Sequence, residues 1–275
     1  MKNINFKKYH GCGNDFIIVK ESDILGIDIT TFVIDICNRY TGIGADGLMI
    51  DMDNTIEMKF YNQDGRSGTM CGNGLRSFCA YLQDIKKVTT NKFDVITPAG
   101  IMKINMLNNN PYIFNVNLGK PSFNSKTLQI DTTKKDFINQ IIKFKEKDIV
   151  CTAVFIGTKH LVVFVNNIDD LYNEELGIFL SKNPLFIDDI NVDFVYVIDE
   201  NNVQMKTYER GVGFTKACGT GACATYIVSK LQNNELTSLS VHMDLGTLKI
   251  SDISNDIIME GPAEKICEGT FNWRK

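Results

Sequence analysis

Met70-Cys71-Gly72-Asn73-Gly74-Leu75-Arg76-Ser77-Phe78-Cys79-Ala80-Tyr81-Leu82 sets a cysteine among glycines and then runs on as an apolar helix. Leu75, Phe78, Cys79 and Leu82 fall at i, i+3, i+4 and i+7, the spacing of a buried helical face. Gly72 and Gly74 leave the backbone ahead of that face uncrowded, so its free N–H groups can approach an anion closely. The same field favours a thiolate at Cys71 over a thiol. Taken alone, the stretch fits equally a nucleophile or base beside a carboxylate cradle and a structural cysteine capping a core helix.

A second copy tips the balance. Cys218-Gly219-Thr220-Gly221-Ala222-Cys223-Ala224-Thr225-Tyr226-Ile227 repeats Cys-Gly-x-Gly before another apolar helix, at an offset of 147 residues. Other stretches follow at nearly the same interval. Met58-Lys59-Phe60-Tyr61-Asn62 lies over Met205-Lys206-Thr207-Tyr208-Glu209, and Asp46 over Asp193, both at 147. Gly100–Ile104 lies over Gly246–Ile250 at 146, and Asn14–Val19 over Lys159–Phe164 at 145. Several matches nearly in register point to a duplicated unit.

The expected fold class is therefore α+β, with two similar domains and the site in the cleft between them. Each domain is a strand-rich, barrel-like layer wrapped on one central helix. We place the domains at 1–117, with 264–275 returning to the first, and 118–263. Asn3–Lys8 and Phe16–Lys20 read as strands around the loop Gly11–Asp15, and Asp28–Arg39 as a helix capped by Asp28 or Thr30. Leu48–Ile50, Glu57–Tyr61 and Tyr112–Leu118 read as strands, and Phe93–Thr97 with Ile101–Met106 as a hairpin. A counterpart of the Asp28 helix is expected over Asp169–Lys182, and the lysine-rich stretch Asp131–Glu146 reads as a surface helix.

Composition bounds the partners. Of 275 residues, 44% are hydrophobic and 23% charged, as in a globular protein. A net charge of −4 argues against nucleic acid or an anionic membrane as partner. The N-terminus shows no secretory signal, and no run approaches the roughly 18 apolar residues of a membrane span. The eight cysteines form no C-x-x-C pair and there are only three histidines, so a zinc site is poorly supported. A cytoplasmic protein with reduced thiols is expected.

Two thiols from two domains suit a specific reaction. Inverting a carbon stereocentre requires a proton to leave one face and another to arrive on the opposite face. A thiolate and a thiol can do this without a cofactor, and exchange roles in the reverse direction. Backbone N–H groups of Gly72, Asn73, Gly219 and Thr220, at two helix starts, would hold the α-carboxylate and stabilise the carbanionic transition state. Gly11-Cys12-Gly13 and Gly42-Ile43-Gly44 are only fragments of a dinucleotide fingerprint.

The motifs Lys8–Phe16, Gly42–Gly47, Asn62–Gly65, Met70–Gly74, Glu209-Arg210-Gly211 and Ala217–Ala222 carry a resemblance spanning nearly the whole chain. The chain resembles the diaminopimelate epimerase family, cofactor-independent enzymes that interconvert LL- and meso-diaminopimelate for lysine and peptidoglycan synthesis. The resemblance implies Cys71 and Cys218 as the acid/base pair. It also implies that Asn14, Asn62, Asn191, Glu209 and Arg210 hold the substrate's ammonium and carboxylate groups, with His160 in a supporting place. It implies a small-molecule amino-acid substrate and no cofactor or metal; a homodimer stays open. Two positions depart from the family pattern. Gly157-Thr158-Lys159-His160 stands where Gly-Asn-Pro-His is usual, and Arg66 where Ser is common. Alternatives are a racemase of the same fold acting on another amino acid, such as histidine, and a non-catalytic amino-acid-binding protein.

Overall fold

The structure, a computed structural model, describes residues 2–68 and 71–274. Met70, the first residue of the opening stretch, lies outside the described residues, as do Met1, Thr69 and Lys275. The chain divides into two compact units, residues 1–116 with 261–275, and residues 117–260.

In the first unit, β1 (Lys2–Gly11) and β2 (Asn14–Lys20) form a hairpin whose two-residue turn is Cys12-Gly13. Helix α1 (Ile29–Cys37), capped by Asp28 through the Thr31 N–H, then leads into β3 (Gly47–Asp51), which runs parallel to β2. β4 (Met58–Asn62) pairs antiparallel with β3, and the short β5 (Ser67–Gly68) with β4. Helix α2 (Gly72–Asp84) follows, then β6 (Lys92–Thr97), β7 (Gly100–Asn109) and β8 (Tyr112–Asn117) as antiparallel neighbours.

α2 is the central element. Every residue from Gly72 to Leu82 is buried, as in a helix enclosed on all sides. It packs against β1 and β2. The opposite face of those strands carries a second core, in which Ile4, Ile17, Val19, Leu48 and Ile50 meet Phe32, Val33 and Ile36 of α1. Strand β2 is thus covered on both faces, which is why Asp15–Val19 is one buried run rather than an alternation.

The second unit repeats this order. β9 (Gln140–Phe144) and β10 (Lys147–Ile156) form a hairpin, and β11 (Thr158–Val165) turns back on β10 at Gly157. α3 (Glu174–Ser181) leads to β12 (Asn191–Asp199), parallel to β11, and β13 (Asn202–Glu209) and β14 (Gly213–Phe214) continue antiparallel. α4 (Gly219–Gln232) is buried from Gly219 to Val228 except at Thr220, and is followed by β15 (Ser238–Met243) and β16 (Gly246–Ile253). β17 (Asp256–Trp273) crosses the unit boundary: its first residues pair with β16, its last with β1. Among the described residues no helix is long and apolar enough to cross a membrane.

Three sequence expectations need correction. Asp131–Glu146 is no helix: it is irregular up to β9, with Phe137 and Ile142 buried in the core of the second unit. Phe137 meets the Phe186 ring edge-on at 5.6 Å, and Ile142 pairs across to Ile149, contacts that helical spacing would not provide. The Asp169 helix is split into a 3-10 turn (Ile168–Tyr172) and α3, because Asn173 caps a new helix start at the Leu176 N–H. The repeat register also shifts. Met49 lies between Ile18 and Phe60, and Asp193 between Val162 and Thr207, so Asp193 corresponds to Met49 rather than Asp46. By the same register Phe16 corresponds to His160, and Asn14 to Thr158. The β12–β13 hairpin is three residues longer than β3–β4, which moves the offset from 144 before it to 147 after it.

Candidate active site

Both central helices begin on a cysteine. Cys71 is the N-cap of α2, in extended conformation, and its Sγ accepts the Gly74 N–H at 3.4 Å. Cys218 caps α4 in the same way, with the Gly221 N–H at 3.4 Å. The thiols thus occupy the place usually taken by Ser, Thr or Asp, in the positive field of a helix start. Leu75 and Ala222 donate to the carbonyls of Cys71 and Cys218. Helix geometry therefore leaves the N–H groups of Gly72, Asn73, Gly219 and Thr220 without an intrahelical acceptor.

Around Cys71, the first unit assembles a polar corner. The thiol lies 3.5 Å from Asn14 Oδ1, which also accepts from Asn73 Nδ2 at 3.4 Å. Asn14 Nδ2 donates to Asp46 at 2.6 Å. Arg39 bridges Asp46 and Asp15, each at 2.7 Å, and Lys8 reaches Asp15 at 2.8 Å. Burial pushes the Asp15 carboxyl up, but hydrogen bonds from Arg39 and Lys8 outweigh it and hold the group below the usual range. Arg76, fully buried, donates to the Asn73 side chain at 2.7 Å, to Gly72 O at 3.3 Å and to Pro262 O at 3.1 Å. Asn62 ends β4 with its side chain exposed. Arg66, the departure after Asp64-Gly65, is spent on an exposed ion pair with Asp64.

Around Cys218, the second unit builds a different network. Cys218 Sγ lies 3.5 Å from Thr220 Oγ1, which is 2.9 Å from His160 Nε2. His160 Nδ1 is 2.8 Å from one Asp193 oxygen, and Thr207 donates to the other at 2.7 Å. His160 and Asp193 are fully buried. An ionised carboxylate only accepts, so Nδ1 carries the proton and Nε2 faces Thr220. Burial holds the Cys218 thiol well above the usual range, reinforced by the charges of Glu209 and Asp193 and partly offset by Thr220 and the Gly221 N–H. Asn191 is nearly buried and accepts the Arg210 N–H at 3.0 Å, while the Arg210 guanidinium donates to Asp188 O at 3.0 Å. Glu209 accepts from Thr215 at 2.7 Å.

The structure thus gathers Asn14, Gly72, Asn73 and Cys71 in one unit, and Thr220, Gly219, Cys218 and the Asn191–Arg210 pair in the other. Sequence reading passed over Lys8, Asp15, Arg39, Asp46, Arg76, Asp193 and Thr207 as members of these networks. Arg76 was signalled by a charge inside a helix otherwise free of charge before Asp84, and Asp46 by its place at the end of a glycine-rich loop. Lys159 is nearly buried and turns away from His160 to bond Gln129 and Ile187 O.

The chain is similar to known proteins along most of its length. The sequence model of the family described as "Diaminopimelate epimerase" matches residues 6–124 and 152–266. A protein of that name from Caldanaerobacter subterraneus subsp. tengcongensis is 36% identical over 272 residues, covering 97% of this chain and 98% of its own. One from Halothermothrix orenii is 34% identical, with 97% of each chain covered. Among solved structures, a Bacillus anthracis phenazine biosynthesis protein of the PhzF family superimposes with a TM-score of 0.73 at 16% identity, covering 98% of this chain and 99% of its own. That likeness is one of fold. With the family match covering most of both units and the paired Cys-capped helices in place, the chain belongs to the diaminopimelate epimerase family.

Proposed function

We propose that this protein interconverts LL- and meso-diaminopimelate by a two-base reaction, with Cys71 serving one face of the α-carbon and Cys218 the other. The observation that carries the reading is the pair of helices capped by thiols, each beside backbone N–H groups that a carboxylate can use. Family membership supplies the substrate. As one thiolate removes the α-proton, charge moves onto the carboxylate, where the N–H groups of Gly72, Asn73, Gly219 and Thr220 strengthen their hold. The opposite thiol then delivers its proton to the other face. Asn62, Asn191, Glu209 and Arg210 are assigned to the substrate's ammonium and carboxylate groups, Arg210 through its fork.

The test is epimerisation of LL-diaminopimelate in heavy water without added cofactor. Deuterium should enter the product epimer early and recovered substrate much more slowly, because the donating thiol carries solvent deuterium. Equal early labelling of both epimers would indicate a single base. Thr158, which offers a hydroxyl where the family pattern has an amide, favours one second reading, a racemase for another amino acid. Comparable kcat/KM for histidine would support that reading.

A further inference from the structure

We propose that Arg76 and Asp46 are positioning residues that lock the side-chain amides of Asn73 and Asn14 in one orientation, so that the Asn14 carbonyl keeps a proton on Cys71 in the empty site. An asparagine amide can be turned end for end with little change of shape, so its direction must be fixed by what each end meets. Here both ends of a two-amide chain meet a charge. Arg76 only donates, and its 2.7 Å contact fixes Oδ1 of Asn73 toward it, which aims Asn73 Nδ2 at Asn14. Asp46 only accepts when ionised, and its 2.6 Å contact fixes Nδ2 of Asn14 toward it. Asn14 Oδ1 is then the atom facing Cys71, at 3.5 Å. Flipping either amide would set donor against donor or oxygen against oxygen at a partly buried contact, costing more than a surface flip.

A carbonyl oxygen facing a sulfur is an acceptor that welcomes S–H and disfavours S⁻. It opposes the Gly74 N–H and the α2 field, both of which favour the thiolate. Among the described residues, the charged and titratable groups around this corner are Arg76 on α2, Lys8, His10 and Cys12 from the β1 hairpin, Asp15 on β2, Arg39 and Asp46 before β3, and Glu264 on β17 opposite His10. Asp15, Asp46, Lys8 and Arg39 pair among themselves, and the Asn14 carbonyl is the side-chain acceptor set 3.5 Å from the Cys71 sulfur. Arg39 braces the far anchor by holding Asp46 through its other oxygen. On this inference the empty protein keeps the thiol at Cys71, where the helix field alone favours a thiolate. The inference builds on the reading of Cys71 as an acid/base group only for its catalytic meaning, since the proton's location can be measured without turnover.

The experiment is site-resolved alkylation of the intact protein with iodoacetamide from pH 6 to 10, quantified by mass spectrometry of the Cys71 and Cys218 peptides. The pH of half-maximal rate is read, so that altered access, which changes only the plateau, is set aside. Asn14→Ala should move the Cys71 midpoint down by about half a unit or more, several-fold in rate at pH 7, the scale of one hydrogen bond. Arg76→Lys, which preserves charge but not the fork, should move it the same way, and should add nothing once Asn14 is alanine. The Cys218 midpoint should stay fixed throughout. If Arg76→Lys does not fold, Asp46→Asn enters the same cycle. A wild-type midpoint in Asn14→Ala would overturn the proposal, and so would an Arg76→Lys or Asp46→Asn shift that persists in the alanine background. Failure of epimerisation alone would bear on the proposed activity and leave this inference standing.

Discussion

Cys71 and Cys218 cap corresponding helices with the same 3.4 Å contact, yet the layers beneath them differ in kind. Under α2, the strand positions are Phe16, Met49 and Phe60, with the two rings edge-on at 5.9 Å. Under α4, the corresponding positions are His160, Asp193 and Thr207, a buried network in which each Asp193 oxygen has a partner. One frame has thus been filled once with hydrocarbon and once with hydrogen bonds. The backbone and the cap hold the sulfur, while the layer beneath sets what surrounds its proton. A hydrocarbon floor leaves that to the neighbouring amides of Asn14 and Asn73. A polar floor brings a carboxylate close enough to act on Cys218 directly. It also brings the cost of a buried charge that must stay fully paired.

The largest effect tests whether the two thiols are equal partners. Cys71→Ala and Cys218→Ala should each cut epimerisation by about 10²–10⁴-fold, the range for a lost general acid or base. Circular dichroism should remain native. Retention of most turnover by either variant breaks the comparison outright, because one thiol would then suffice.

Next comes the pH response of Cys218. Burial and the charges of Glu209 and Asp193 hold its folded value above that of a free thiol. The neutral form therefore persists through neutrality, and the thiolate fraction grows about tenfold per pH unit. Alkylation of Cys218 should climb without a plateau from pH 7 to 9. Asp193→Asn removes one of the raising charges and should shift that climb to lower pH. A plateau below pH 8 in the unaltered protein would contradict the burial argument.

Much of this frame is legible in the residues. The helix face Leu75, Phe78, Cys79 and Leu82, the Asp28 cap and the two Cys-Gly-x-Gly starts depend on local spacing, and the structure places them as the sequence implies. The floors were not legible. Asp193 matched Asp46 by identity, but strand pairing matches it to Met49, because only pairing reveals that one hairpin is three residues longer. Asp131–Glu146 misled for a related reason: Phe137 is buried by Phe186, distant in sequence, and Ile142 by hairpin pairing with β10, neither of which a helical period records. Arg76 donates to the Pro262 carbonyl of β17, a contact that exists only once the chain's end has returned.

A smaller effect compares the floors directly as stability. Asp193→Asn keeps the shape but gives up a charge-assisted bond to His160, and should cost about 2–3 kcal/mol. Met49→Leu, at the corresponding position, exchanges one apolar side chain for another of similar volume and should cost under about 1.5 kcal/mol. Chemical unfolding of both variants measures the difference. Equal losses would mean that the polar layer is no more demanding than the hydrocarbon one.

The subtlest comparison places one methyl group at each helix start. A Cβ on Gly74 would lie 2.6 Å from Met49 Cε, the free end of a flexible side chain, and no closer than 3.4 Å to Cys71 Cβ and Phe16 Cζ. Met49 can swing aside, and alanine recovers up to about 1 kcal/mol of helix propensity over glycine. A Cβ on Gly221 would lie 2.4 Å from Asp193 Oδ1 and 2.9 Å from Thr207 Oγ1. Neither atom can retreat without lengthening a bond that satisfies a buried charge, so the helix start or the network must shift. Gly221→Ala should therefore cost about 1–3 kcal/mol, the usual range for overpacking, while Gly74→Ala stays near neutral. The decisive combination is Gly221→Ala with Asp193→Asn, since the two changes share one contact. If the bonded carboxylate is what resists the methyl, the double variant should lose less than the two single losses together. Strict additivity would place the resistance in the backbone, and the two floors would then differ in chemistry but not in stiffness.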